Sequence, residues 1–176
     1  MQSTKINTVK FTKQDFKETR DLATIINFCD QADNKTLEQV VDDIYRYQPF
    51  LISLFLGYKD DVTPHQHDEL IRIIIIIWLF FKDYKGVKKQ TINDIQFEQQ
   101  QQKNVQFLQY LEGEPTLHAQ SVTTELNLQQ LQSKALFTAV LYRVLEGQHL
   151  QHLDTEEQGI MILSLKSLIE CFESLS

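Results

Sequence analysis

The densest set of potential metal ligands in the chain is Asp60, Asp61, His65, His67, Asp68 and Glu69. If Pro64 opens a helix, His65 and Glu69 stand four residues apart and share a face, as an imidazole and a carboxylate on one cation must, while His67 points elsewhere. A second group, His149, His152 and Asp154, follows Gly147, and its two histidines would meet if that loop is helical. A metal centre drawing on His65, Glu69, His149 and His152 competes with a plainer reading, which the sequence favours. Carboxylates complement the dipole at a helix N-terminus, and histidines in two loops are simply solvated. In an up-and-down bundle of six unbroken helices the two loops lie at opposite ends; a separate short helix in residues 117–126 would reverse that parity and bring them together.

Two basic features complete the chemistry. Lys82, Lys85, Lys88 and Lys89, interrupted by Asp83, either complement the dipole at the end of a helix or form a patch for an anion or acidic partner. Arg72 is the single charge in an otherwise apolar run. Asp68 and Glu69 precede it by four and three residues, so a pair within the helix is expected. The rival is a functional arginine, which would need a cavity beside it and an anionic occupant. No nucleotide-binding loop, nucleophile elbow, HExxH or CxxC pattern occurs, and no cofactor is implied.

These residues sit in a chain of 176 residues, enough for one domain with a substantial core. Glutamine occurs 21 times, glycine five and proline three, a composition that favours helices over their breakers. The net charge of −7 lies wholly in the second half: residues 1–89 carry 13 basic and 13 acidic side chains, residues 90–176 only 4 basic and 11 acidic. Such a surface repels phosphate backbones and argues against nucleic acid as a partner. No apolar run reaches the roughly 18 residues of a membrane span, and residues 1–11 lack the apolar core of a secretory signal. Cys29 and Cys171 stand far apart within apolar stretches and read as core thiols in a reducing compartment. The cytoplasm is the expected location.

Helix punctuation is consistent along the chain. Starts are expected at Thr12 with Asp15, Thr36 with Gln39, Thr63 with Pro64, Thr91 with Asp94, and Asp154 with Glu157, and Phe11 and Phe16 are spaced for a hydrophobic staple. Gly57, Gly86, Gly113 and Gly147 each follow an apolar stretch, as glycines in left-handed caps do. Leu22, Ile25, Ile26 and Cys29, and then Leu37, Val40, Val41 and Ile44, repeat at helical spacing. Pro49 predicts a kink or a new short helix through residues 50–56. Two further stripes are Leu128, Leu131, Ala135, Thr138, Tyr142 and Leu145, and Met161, Ile162, Leu165, Leu168, Ile169 and Phe172. The seven polar residues 98–104, which contain the glutamine run 99–102, predict a helix that crosses solvent or breaks.

The run LIRIIIIIWLFF over residues 70–81 is apolar on every side and, at about 18 Å, too short for a bilayer. It must be central, with Tyr45, Tyr47, Phe50 and Phe55 expected around it. The chain is therefore predicted to be all-α: an N-terminal tail over residues 1–11, then a single domain over 12–176 of about six helices bundled around a central helix at residues 64–85. The expected function is a non-catalytic protein-interaction module, in one form an acidic protein that masks a basic partner, as antitoxin and immunity proteins do. Its partner is a protein, a second copy in a dimer included, and no small-molecule substrate is identifiable. The alternative is a helical ligand-binding protein or metal-dependent enzyme built on the His65 or His149 group.

Overall fold

A computed structural model describes residues 12–113 and 128–176, with the side chains of residues 110–113 outside that description. Among the described residues seven helices form the bundle: α1 (Lys13–Gln31), α2 (Asn34–Tyr47), α3 (Phe50–Gly57), α4 (Pro64–Phe81), α5 (Asp94–Gly113), α6 (Lys134–Glu146) and α7 (Thr155–Leu175), with a 3-10 turn at Leu150–His152 between the last two. No strand occurs among the described residues, and none of their helices is long and apolar enough to cross a membrane.

Capping explains most of the boundaries. Thr12 with Asp15, Thr63 with Gln66 and Asp154 with Glu157 form reciprocal capping boxes, and Pro64 occupies the first turn of α4. Phe11, the other half of the expected staple, lies outside the described residues. Two starts differ from expectation. Asp33 rather than Thr36 caps α2, because its carboxylate accepts from the Thr36 amide. Asn93 rather than Thr91 opens α5, exchanging hydrogen bonds with Gln96. A short carboxylate or amide one turn ahead of the apolar stripe competes successfully with the threonine.

Helix α4 is the centre. Leu70, Ile73, Ile74, Ile75, Ile76, Ile77, Trp78, Phe80 and Phe81 are all buried on it, and α1, α2, α3, α6 and α7 pack around it. It ends at Phe81, not residue 85, and a series of turns follows. Tyr47 stacks on Trp78 at 6.3 Å between ring centroids, Phe55 is buried, and Phe50 packs on Phe97. Tyr45 is 68% exposed, so it does not wrap the central helix. Phe172, from the far end of the sequence, takes a leading place and stacks on Phe81 at 5.2 Å. Pro49 does introduce a new short helix, α3.

Polar side chains fix the elements relative to one another. The Gln48 amide, fully buried between α2 and α3, donates to the carbonyls of Val87 and Gln90 and accepts from the Ile92 amide, so it clamps the turns after α4. The polar residues 98–104 neither cross solvent nor break a helix. Gln100 donates to Glu170, Gln101 to Ser164, and Asn104 to Ser167 and Glu170, which makes them the contact between α5 and α7. Gln99 and Gln102 stay exposed, so only half of the glutamine run faces solvent. Lys166 is buried in the same seam and donates to Asn104, Gln130 and Glu170, filling the three hydrogens of its ammonium.

The glycines end helices by a different route from the expected one. No described glycine has a positive φ, so none is a left-handed cap. Gly57 and Gly113 are the last residues of α3 and α5, Gly147 follows α6 in extended geometry, and Gly86 lies beyond the end of α4. Gly86 and Gly147 are needed for close approach instead. A Cβ on Gly86 would stand 1.6 Å from the Leu175 carbonyl oxygen, and one on Gly147 would stand 2.2 Å from the Arg143 carbonyl oxygen.

Both cysteines are buried, and desolvation pushes each thiol up to about 11. Native protein at pH 8 is expected to leave a thiol-specific chromogenic disulfide unreacted over minutes, with two equivalents released on denaturation. Fast reaction of either thiol in the folded state would contradict its burial.

Candidate functional site

The stripe expected on α6 is rotated. Ala135, Leu136, Phe137, Val140 and Val144 face the core, whereas Thr138, Tyr142 and Leu145 are exposed. The helix starts at Lys134 and is not continuous with residues 128–131, so the phase carried across from Leu128 does not apply. Part of that displaced stripe lines an open groove instead. The groove lies between α1 and α6 with α4 as its floor and has a volume of about 770 Å³. Leu22, Ala23 and Ile26 form one wall, Ala135, Ala139 and Tyr142 the other, and Ile73 the base. The small alanines hold the walls low and leave apolar surface uncovered.

Asp30, Glu69, Arg72 and Arg143, four charged residues, close one end of this groove, which a fifth, the exposed Glu146, also lines. The same four border a second cleft of about 780 Å³ between α2 and α4, where Glu38, Asp42, Asp68, His65 and His149 also face the opening. They form a bar between two cavities. Arg143 binds both carboxylate oxygens of Asp30 at 2.8 Å. Glu69 accepts from the backbone amides of His149 and Leu150 at 3.0 to 3.2 Å, which holds the 3-10 turn against α4. It also stands where any side chain on Gly147 would have to go.

Arg72 departs from its expected role. Among the described residues no carboxylate lies within 4.0 Å of its guanidinium, so it is not paired with Asp68 or Glu69. It reaches across to the carbonyl of Cys29 in the last turn of α1. That contact complements a helix C-terminus, but it uses only one of five guanidinium hydrogens on a half-buried side chain. Glu69 is drawn off by the two backbone amides, and Asp68 is exposed. Competition from these partners could not be read from spacing within α4.

Comparison with protein-family models, curated proteins and solved structures finds no match. The site therefore stands on its geometry.

The two histidine loops, placed at opposite ends by the six-helix reading, meet. His65 and His149 stack at 4.9 Å between ring centroids, and the Gln66 amide donates to the His149 carbonyl. Parity is the reason. Helix α5 runs antiparallel to α7, and α6 starts beside the end of α7, where the Ser133 amide donates to Glu173. The chain has regained that end by residue 134, so α6 finishes beside the start of α4. The segment on which that alternative turned, residues 117–126, lies outside the described residues. His67 points away and contacts the Phe55 carbonyl at 2.8 Å, and His152 is exposed. Among the described residues no group of three or more His, Cys, Asp or Glu side chains has metal-binding geometry. His65, Glu69 and His149 come together as a stacked pair beside a carboxylate already holding two amides.

The lysine group lies elsewhere. Lys85, Lys88 and Lys89 are exposed and Lys82 half-buried in the turns after α4, about 14 Å or more along the helix axis from Arg72. Lys88 lies 3.9 Å from Asp83 and 5.4 Å from the centre of the Tyr47 ring. These lysines and Arg72 do not converge on one site.

Replacing Glu69 with alanine should cost about 2 kcal/mol, because two half-buried backbone amides lose a charged acceptor. Asp68→Ala, on an exposed residue of the same turn, should cost less than about 0.5 kcal/mol. Chemical denaturation of the two variants checks the order, and equal losses would show that Glu69 does not hold the turn.

Proposed function

We propose that this chain is a non-catalytic protein-interaction module and that its docking surface is the groove between α1 and α6. The observation that carries the reading is apolar surface left open by the described helices: a groove of about 770 Å³ in which Ile26 and Ala139 are half-buried, Ala23 is exposed and Tyr142, 68% exposed, stands on the rim. Its α1 wall runs from Thr19 to Asp30, about 17 Å, which suits three turns of a partner helix. A helix with apolar residues at i, i+3, i+4 and i+7 fills such a surface. The occupant is therefore the apolar face of an amphipathic helix from a partner protein.

A photo-crosslinking residue at Tyr142, compared with one at Ile160, tests this. Ile160 is also exposed but lies on α7, outside the groove. The expected result, in the cells that make the protein, is a discrete adduct from position 142 that is missing from position 160 and lost on Ala139→Glu, which puts a charge on the groove wall. The same adducts from both positions, or adducts indifferent to Ala139→Glu, would reject the groove. An adduct of the chain with itself would replace the separate partner with a second copy and make the protein a dimer through this face.

A further inference from the structure

We infer that the helix docking in this groove carries a carboxylate side chain that pairs with Arg72, an assignment that rests on the groove being the docking surface. Charge complementarity at one end of the groove calls for such a group. Of the five charged residues that line the groove, Asp30 pairs with the Nη2 of Arg143 at 2.8 Å, and Glu146 is exposed to solvent. Glu69 is held by the amides of His149 and Leu150. Arg72 alone has a neutral partner, the Cys29 carbonyl, and keeps four guanidinium hydrogens without an acceptor among the described residues.

A half-buried guanidinium beside apolar side chains gains most from a planar, bidentate anion, which a glutamate or aspartate supplies. A phosphate would meet the carboxylates of Asp30, Glu69 and Glu146, which line the same groove, and its extra charge would be repelled. One carboxylate on an otherwise apolar face is the chemistry that fits. Ala23, Ile26, Ala139 and Tyr142, the apolar lining residues that stay exposed or half-buried, take the apolar residues, and the acid lies at the end marked by Arg72.

Helix-stapled peptides of 15 residues serve as probes. Each carries leucines at i, i+3, i+4 and i+7, with glutamate or glutamine one turn beyond the leucines at either end, and a peptide with scrambled leucines is the control. Titration calorimetry on the full chain should show one glutamate peptide binding on the order of tenfold tighter than its glutamine twin at low salt. The advantage should shrink by 0.5 M salt and vanish on Arg72→Gln, which keeps a donor for Cys29, while Arg72→Lys should retain part of it.

Equal binding of the glutamate and glutamine peptides to the wild-type chain would overturn the carboxylate assignment and leave the groove standing. An advantage that survives Arg72→Gln would overturn the role of Arg72. An advantage insensitive to salt would also count against an ionic pair, and this measurement needs no variant to fold. Binding no better than the scrambled control would reject the groove itself.

Discussion

Gly86→Ala should destabilise the protein by about 3 kcal/mol or more, because its added Cβ would make a closer approach than one on Gly57, Gly147 or Gly159. The new Cβ would stand 1.6 Å from the Leu175 carbonyl oxygen and 2.8 Å from its carbon, both backbone atoms that cannot swing aside as a side chain would. Moving the other partner is no easier. The turns that carry Gly86 are tied down by the buried Gln48 amide through Val87, Gln90 and Ile92. Either the end of α7 detaches or the clamp opens. Gly159→Ala supplies the contrast: it lies inside α7 with nothing within 4 Å of the added Cβ, so helix propensity should make it stabilising by about 0.5 to 1 kcal/mol. Denaturant midpoints of the two variants should move in opposite directions, and similar midpoints would show that the close approach to Leu175 is not maintained in solution.

Removing Glu170 should be comparably severe, about 3 to 5 kcal/mol, because Lys166 would be left charged in a site where its side chain is only 3% exposed. The Lys166 ammonium lies 2.6 Å from the Glu170 carboxylate, which also accepts from Gln100 and Asn104. Glu170→Ala therefore strips a counter-charge and two amide acceptors at once. Lys166→Met in the Glu170→Ala background should restore more than about 1 kcal/mol, since it removes the orphaned charge and keeps the aliphatic volume. A double-mutant cycle read by urea denaturation checks this. Additive losses would mean that the two groups do not interact.

These two expectations draw on different kinds of information. The seam between α5 and α7 was visible in the sequence only as an anomaly, seven polar residues where a helix should have shown an apolar face. The anomaly resolves because Ser164, Lys166, Ser167 and Glu170 supply the complementary polar surface more than 60 residues away. A pattern within one helix cannot reveal that its partner is polar too. The α6 stripe failed for a related reason. A helical phase extrapolated across a break between residues 131 and 134 points the wrong face inward.

The sequence by itself determined the all-α class, the central place of α4, the helix starts at Thr12, Thr63 and Asp154, the short helix after Pro49 and the buried face of α7. All of these depend on residues within about two turns of one another, where hydrophobic period and side-chain capping act directly. The tertiary structure alone decided that the His65 and His149 loops meet, that Glu69 serves two amides of a distant turn, and that Arg72 is left without a carboxylate on the wall of an open groove. Each outcome depends on which helix end lies beside which, as in α6 starting beside the end of α7 and finishing beside the start of α4. Local spacing offered Arg72 two acids in its own helix. The competition came from α1, whose Cys29 carbonyl accepts from Arg72, and from the turn before α7, whose amides donate to Glu69, and both arrive only after the bundle has closed.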